Sequence, residues 1–456
     1  MTTTRKTNTI DMTSGAILPK MLRFALPLML SSILQLLFNA ADIVVVGQFC
    51  GDASLAAVSS NGSVVNLITG LFIGMSVGVN VLAARFFGSK DEQGLSDTLH
   101  TAVVISVICG ALVTVLGLVI APQMLILMKT PDNVLPLATL YLRIYFCGMI
   151  STLVYNFGAA VLRAVGDTRR PLIFLLIAGV LNVVLNLIFV TVFHMDVAGV
   201  ALATILSQTL SAFLVIHCLL HEEGGLKLSL KKLHCDRTKL LQILRIGLPA
   251  GLQSTLFSLS NVVIQSSVNI FGDVVMSGNG AAANIEGFGY MAMNAFYQAT
   301  ISFTGQNYGK RRYDRIIRTQ LIGQACVLTV GLVFSLVCTL LGRPLLGIYT
   351  DSEAVVEAGL TRLSYVGTLY FFCGMMEVVC GGLRGIGSSF IPMIISLLGA
   401  CGLRILWVST VFQIPAYHTI DTVYVSYPIS WIVTAIVQLI FFIFCLRRVM
   451  KRDSGN

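Results

Sequence analysis

Twelve apolar stretches of bilayer length, set apart by clusters of charge, constrain this chain more than any other feature. Ten contain no Asp, Glu, Lys or Arg: residues 53–84, 101–128, 144–162, 171–193, 197–216, 246–272, 287–309, 319–342, 385–403 and 422–446. Two more are each broken by a single acid, 24–51 by Asp42 and 363–383 by Glu377. Each is near or above the ~20 residues that an apolar helix needs to cross ~30 Å of hydrocarbon. Strand-type alternation is absent, which argues against a transmembrane barrel. The chain reads as an all-α polytopic membrane protein with twelve transmembrane helices.

Composition excludes the other classes. Of 456 residues, 56% are hydrophobic and 11% are charged, where soluble domains carry about 25% charged residues. So few charges cannot cover a water-soluble globule of this size, and so apolar a chain is neither disordered nor a small disulfide scaffold. The eleven cysteines are scattered, with no CxxC pair, and read as small packing residues. The first twenty residues are polar and the first apolar run is too long for a signal-peptide core, so that run is expected to remain as helix 1.

Lys and Arg set the orientation. Numbered along the chain, alternate loops hold nearly all 30 of them. Only Lys129 and Arg343 fall in the opposite set, while Arg143, Arg362 and Arg404 lie inside or at the edges of helices. Both termini are therefore expected in the cytoplasm of a cell (inner) membrane. The net charge of +9 is a topology signal, and no nucleic-acid partner is expected.

The sequence is also written twice. Leu22, Arg23, Leu26, Pro27, Leu30, Ser32 and Asn39 match Leu244, Arg245, Leu248, Pro249, Leu252, Ser254 and Asn261 at one constant spacing. Farther on, LRAVGDTRRP, ending at Pro171, matches LRGIGSSFIP, ending at Pro392, at nearly the same spacing. Two separated matches indicate an internal repeat. The expected organisation is an N-terminal six-helix bundle at 1–220, a cytoplasmic linker at 221–239 and a C-terminal six-helix bundle at 240–456. Six is even, so the repeats run parallel, related by a pseudo-two-fold axis along the membrane normal. Two such bundles that rock about a central cleft can expose it to each side in turn.

A few polar residues interrupt the apolar runs. Asp42 sits in the outer part of helix 1. A carboxylate in hydrocarbon costs a few kcal/mol, so it faces protein or water and can carry a proton or hold Na⁺; a capping role at the membrane edge is the alternative. Glu377 lies two helical turns before Arg384 and either pairs with it or lines a cavity. Asn156 is its counterpart in the first half. Glu286 is expected to open helix 8, as a charge at a helix N-terminus or as cavity lining. Asn182 and Asn186 are spaced i, i+4 and share a face of helix 5, and Thr204 is a further candidate in helix 6; interhelical glue is the alternative for all three. Pro27 and Pro249 are expected kinks. No catalytic motif such as GxSxG or HExxH occurs, so no enzyme activity is expected.

At this point the residues resemble the multidrug and toxic compound extrusion (MATE) transporters, of the bacterial DinF-like kind. The resemblance rests on the R-x-x-L-P starts at Arg23 and Arg245, and on D-x-x-x-V-G from Asp42 to Gly47, followed by Leu55-Ala56-Ala57-Val58. Arg85-Phe86-Phe87-Gly88, Gly305-Gln306-Asn307-Tyr308-Gly309 and the two L-R-x-x-G turns complete it, in order along nearly the whole chain. It implies a secondary antiporter that exports organic, often cationic, compounds while H⁺ or Na⁺ enters. It needs no cofactor and is expected to be a monomer in the bilayer. It further implies that Asp42, Asn156, Asn182, Asn186 and Thr204 form the cation site, with Asn39, Glu286 and Glu377 as candidates for the substrate cavity. Family members often carry Asp at the position of Asn186, and sodium-coupled members can have Glu in helix 7, where 246–272 has no acid; the ion stays open. The alternative reading is a flippase for a lipid-linked oligosaccharide or other amphipathic lipid, which would be expected to line its cleft with several Arg.

Overall fold

Every apolar run is helical. A computed structural model of the chain describes residues 9–128 and 130–454, so Arg5, Lys6 and Lys129 lie outside the described residues. In chain order the helices are α1 (Ile17–Phe49), α2 (Asp52–Ser89), α3 (Glu92–Leu127), α4 (Leu135–Cys147), α5 (Met149–Ala164), α6 (Arg169–Leu187), α7 (Asp196–Leu220), α8 (Arg237–Asn269), α9 (Asp273–Gly309), α10 (Tyr313–Gly347), α11 (Glu353–Arg362), α12 (Phe371–Gly385), α13 (Phe390–Ser396), α14 (Leu403–Ser409) and α15 (Ile420–Ser454). Widened π turns follow α6 (Ile188–Val192) and α11 (Leu363–Gly367) and join α13 to α14 (Leu397–Gly402). No strand occurs among the described residues.

Among the described residues, eight spans are long and apolar enough to cross a bilayer, or ten when α4–α5, bent by 49°, and α11–α12, bent by 41°, each count as one. α8 and α9, richer in Ser, Asn and Gln, complete the twelve.

The helices overrun the charge-free runs. α4 starts at Leu135 and carries Arg143 on its exposed side without interruption, because a charge ends a helix only where it cannot reach polar surroundings. The expected start of helix 8 near Glu286 needs correction. α9 begins at Asp273, which puts Glu286 inside the helix and not at its end. Small residues allow this. A Cβ on Gly278 would lie 2.6 Å from the Val355 carbonyl oxygen, so the polar GNGAAAN stretch is a close-packed helix face and no loop.

The chain divides into two compact units, Met1–Asp11 with Leu30–Leu252 and Met12–Met29 with Gln253–Asn456. α1 and α8 each contribute to both.

In unit 1, α2 and the first part of α8 pack backbone against backbone. A Cβ on Gly74 would fall 2.2 Å from Gly251 Cα, and one on Gly78 would fall 2.3 Å from the Ile243 carbonyl oxygen. Only glycine permits that approach. The stretch after α7 is docked and not free. Its Ser229 N–H donates to His100 Nε2 (3.2 Å), and the Asp236 N–H donates to Thr101 Oγ1 (3.0 Å). Since Nε2 of His100 accepts, its Nδ1 carries the hydrogen and donates to the Ser96 carbonyl (2.8 Å).

In unit 2, the segment before α1 is held by the Gly305–Gly309 motif and its neighbour Arg315. The Met12 N–H donates to Gln306 Oε1 (3.0 Å), and Asn307 Nδ2 donates to the Met12 carbonyl (3.2 Å). Arg315 donates to the carbonyls of Met12, Ser14 and Gly15 at 3.0–3.1 Å. The motif thus has a structural task.

The repeat is visible in the backbone. Gly166 (φ +88°) and Gly387 (φ +90°) close the same turn in the two halves. In each, the glycine N–H bonds back to the arginine carbonyl (Gly166 to Arg163, 2.9 Å; Gly387 to Arg384, 2.8 Å). The next N–H reaches the preceding leucine (Asp167 to Leu162, 2.9 Å; Ser388 to Leu383, 3.0 Å). The left-handed φ demands glycine, and the turn satisfies carbonyls that a helix end leaves open.

Candidate functional sites

Asp42 is the only ionised-type side chain in the span of α1 below its basic start, and the helix turns it inward. Val45 and Val46 share its buried face, while Ile43, Val44 and Phe49 are exposed. Asp42 itself is 8% exposed. Its carboxylate accepts a hydrogen bond from Asn186 Nδ2 of α6. Asn186 also donates to Asn182 Oδ1 one turn earlier (3.3 Å), and Asn182 Nδ2 donates to Thr204 Oγ1 of α7 (3.4 Å). Thr204 in turn donates to the Val200 carbonyl (2.9 Å). A single polar chain therefore runs from α1 through α6 to α7 inside unit 1.

Three features define its chemistry. Among the described residues no cationic side chain lies within ion-pair distance of Asp42, so its charge is answered only by a neutral amide. The Asn186 Oδ1 atom is buried without a hydrogen-bond partner, leaving an oxygen beside the carboxylate. Tyr141 and Tyr145, stacked at 6.0 Å on α4, lie within electrostatic reach of Asp42. Tyr141 lies before the charge-free run 144–162 and Tyr145 inside it, and nothing local in the sequence ties either to Asp42. Asn156 stays apart: it is half-buried and donates to the Thr152 carbonyl of its own helix (2.8 Å). Asn39 is exposed on α1.

A second polar site lies wholly within unit 2. A cavity of about 470 Å³ opens among α8, α9, α11, α12, the Leu397–Gly402 turn, α14 and α15. It brings Glu286 and Glu377 together. Glu286 is paired: Arg362 grips both its oxygens (Nε to Oε1, 2.9 Å; Nη2 to Oε2, 2.6 Å). Arg362 Nη1 also donates to Asn279 Oδ1 (2.7 Å), and Asn279 Nδ2 donates to Gln265 Oε1 (2.8 Å). Such a bidentate pair with its remaining donor satisfied is the arrangement that makes buried charge tolerable.

Glu377 makes no ion pair with Arg384. That arginine instead donates to the Tyr297 hydroxyl and to Gln253 Oε1 (2.9 Å). Glu377 thus borders the cavity without a hydrogen-bond partner among the described residues. Arg404 borders it as well. The guanidinium lies over the rings of Tyr427 (4.3 Å) and Trp431 (5.4 Å), and its Nε donates to Ser430 Oγ (2.7 Å). The sequence placed Arg404 only inside or at the edge of a helix. The signal was its apolar surroundings on both sides, since it lies inside the candidate span Phe390–Gln413 and an ionisable group at membrane depth marks a site by default. No group of three or more His, Cys, Asp or Glu side chains that could hold a metal occurs among the described residues.

The MatE family model matches residues 27–188 and 249–408, once in each half. The chain is 30% identical to the "Probable multidrug resistance protein YpnP" of Bacillus subtilis (strain 168), over 86% of this chain and 88% of that protein. It is 22% identical to the "Multidrug export protein MepA" of Staphylococcus aureus (strain N315), over 85% and 89%. Its fold matches a structure described as the "Outward-facing conformation of a multidrug resistance MATE family transporter of the MOP superfamily" with a TM-score of 0.90, at 23% identity over 98% of this chain and 100% of that one. A MOP superfamily transporter from Pyrococcus furiosus Vc1 (DSM3638) matches with a TM-score of 0.91, at 23% identity over 97% and 99%.

Proposed function

The chain belongs to the MatE family, and from that membership we propose that it is a secondary antiporter that exports organic, often cationic, compounds across the cell membrane in exchange for H⁺ or Na⁺. The relatives named for multidrug resistance and export support the substrate class. The coupling reading rests on one observation: Asp42 is a buried carboxylate bonded to a neutral amide, with no cationic side chain in ion-pair distance among the described residues. Leaving such a charge unneutralised is costly, so the site favours a bound proton or small cation.

In this mechanism Asp42 loads an ion from outside and releases it inside as the two halves alternate in access. Asn186 steadies the carboxylate through its N–H, and its free oxygen adds a ligand if the ion is Na⁺. Asn182 and Thr204 orient that amide. Both termini lie in the cytoplasm, as the distribution of Lys and Arg favours, and the working unit is a monomer.

Flippase activity for a lipid-linked oligosaccharide has weaker support. That role needs several free arginines, and Arg362 is already engaged by Glu286.

Ethidium efflux from proteoliposomes tests the proposal, with a pH gradient imposed in one set and a Na⁺ gradient in another. One gradient is expected to drive export well above the leak. Efflux that responds to neither would overturn coupled antiport.

A further inference from the structure

Where α15 ends, unit 2 carries more positive charge than its own acids answer. Residues 310–318, from the end of α9 into α10, hold five basic side chains and one acid, and residues 447–453 of α15 hold four and one. The Tyr313 hydroxyl donates to Asp453, so the two stretches lie side by side. Much of the first stretch is engaged within the protein. Lys310 donates to Thr13 Oγ1 (3.0 Å) and Arg315 to the carbonyls before α1, while Arg312 pairs with Asp314 (3.2 Å) and Arg311 with Asp453 (3.6 Å). Arg318, Arg447 and Arg448 are exposed and have no carboxylate within ion-pair distance among the described residues. Each adjoins bare apolar surface. Leu321, one turn deeper along α10, is 64% exposed, and Ile443 and Phe444, one turn deeper along α15, are exposed as well. Residues three or four apart share a helix face, so charge and hydrocarbon-facing side chains line up on both helices.

Orientation in the membrane does not account for this surplus. The internal repeat equates residues 310–318 with 89–97 of unit 1, which belong to the same set of loops and hold one basic side chain and three acids. α7, the last helix of its half, stops at Leu220 before Glu222 and Glu223, whereas α15 runs on through its four basic residues. The acids of unit 1 are met by its own chain: the basic stretch 227–239 is docked there through Ser229 and Asp236, and His234 lies 3.3 Å from Asp97. The related end of unit 2 has the opposite sign and calls for an anionic partner. We propose that it binds anionic phospholipid, with headgroup phosphates on Arg318, Arg447 and Arg448 and acyl chains along Leu321 and Phe444. Guanidinium forks match phosphate oxygens, and basic clusters where a transmembrane helix leaves the bilayer attract anionic headgroups. The apolar neighbours select a lipid over a soluble anion or an acidic peptide, because the ligand must offer charge to the arginines and hydrocarbon to Leu321 and Phe444. The surplus of positive charge selects an anionic headgroup over a zwitterionic one. Lipid binding here stands whether or not the chain exports drugs.

The chain has two tryptophans, so Trp407→Phe with Trp431→Phe leaves a background into which Leu321→Trp places one reporter beside Arg318. The protein is reconstituted in vesicles of phosphatidylcholine with rising fractions of phosphatidylglycerol, one lipid at a time carrying brominated chains, and quenching gives the relative binding constant at the reporter. Phosphatidylglycerol is expected to bind about fivefold or more tightly than phosphatidylcholine at Leu321→Trp. Leu340→Trp puts the reporter at an exposed position near the other end of α10, where no preference is expected. Adding Arg318→Gln, Arg447→Gln and Arg448→Gln is expected to cut the preference at Leu321→Trp to less than about twofold. Equal binding of the two lipids at Leu321→Trp overturns the proposal. So does a preference that survives loss of the three arginines, or one matched at Leu340→Trp. Native mass spectrometry of the unsubstituted chain needs no variant to fold. Phosphatidylglycerol is expected to stay bound where phosphatidylcholine is lost, and equal retention of both overturns the proposal as well.

Discussion

Asn186 donates an amide hydrogen to the carboxylate of Asp42, 144 residues away in sequence, inside unit 1. The bond explains how helix 1 can hold an acid at membrane depth without a counter-charge. A neutral donor lowers the cost of the ionised form without cancelling it, which is what the proposed coupling role requires.

Asn186→Leu removes that donor and leaves Asp42 without a hydrogen-bond partner. Gradient-driven efflux is expected to fall about tenfold, the size of one hydrogen bond to a charged group. Ethidium efflux rates from proteoliposomes with matched protein content check this. An unchanged rate would show that the amide does not support Asp42.

Glu286→Gln leaves Arg362 as an unpaired buried charge. A loss of about 3–5 kcal/mol is expected, the usual cost of breaking one side of a buried pair. Adding Arg362→Met should restore most of it, because no charge is then stranded. Thermal unfolding of the single and double variants in detergent measures both. A double variant no more stable than the single would place the damage elsewhere.

Gly166→Ala and Gly387→Ala each force a side chain into a left-handed backbone. Each is expected to cost at least about 1 kcal/mol. At position 166 the new Cβ would also lie 2.7 Å from Ile10, which adds a steric cost to the backbone strain. Melting temperatures of the two variants measure this, and unchanged values would contradict it.

Much of the fold was legible because hydrocarbon enforces a simple rule: length without charge means a helix that spans. The paired L-R-x-x-G turns were legible for a similar reason, since glycine and a following proline punctuate a helix end. The i, i+4 spacing of Asn182 and Asn186 put them on one face, and Thr204 lies within bonding reach of Asn182. What escaped were contacts between distant helices. Nothing local ties Glu286 to Arg362, and the polar residues 278–284 just before Glu286 set the expected start of helix 8 too late, where close packing against α11 continues the helix. The seven-residue spacing left open whether Glu377 pairs with Arg384 or lines a cavity. Tyr297 and Gln253 occupy that guanidinium instead, and their approach depends on the packing of α8 and α9. The bend at Gly148 carries no proline to announce it.

The coupling role of Asp42 is tested most directly by comparing ethidium efflux from proteoliposomes of the wild-type chain and Asp42→Asn, under whichever imposed gradient drives the wild type. The amide has the shape of the acid and should leave expression and melting temperature intact. Efflux from the variant is expected to drop to the rate of protein-free vesicles. Wild-type efflux in a folded Asp42→Asn protein would contradict the account.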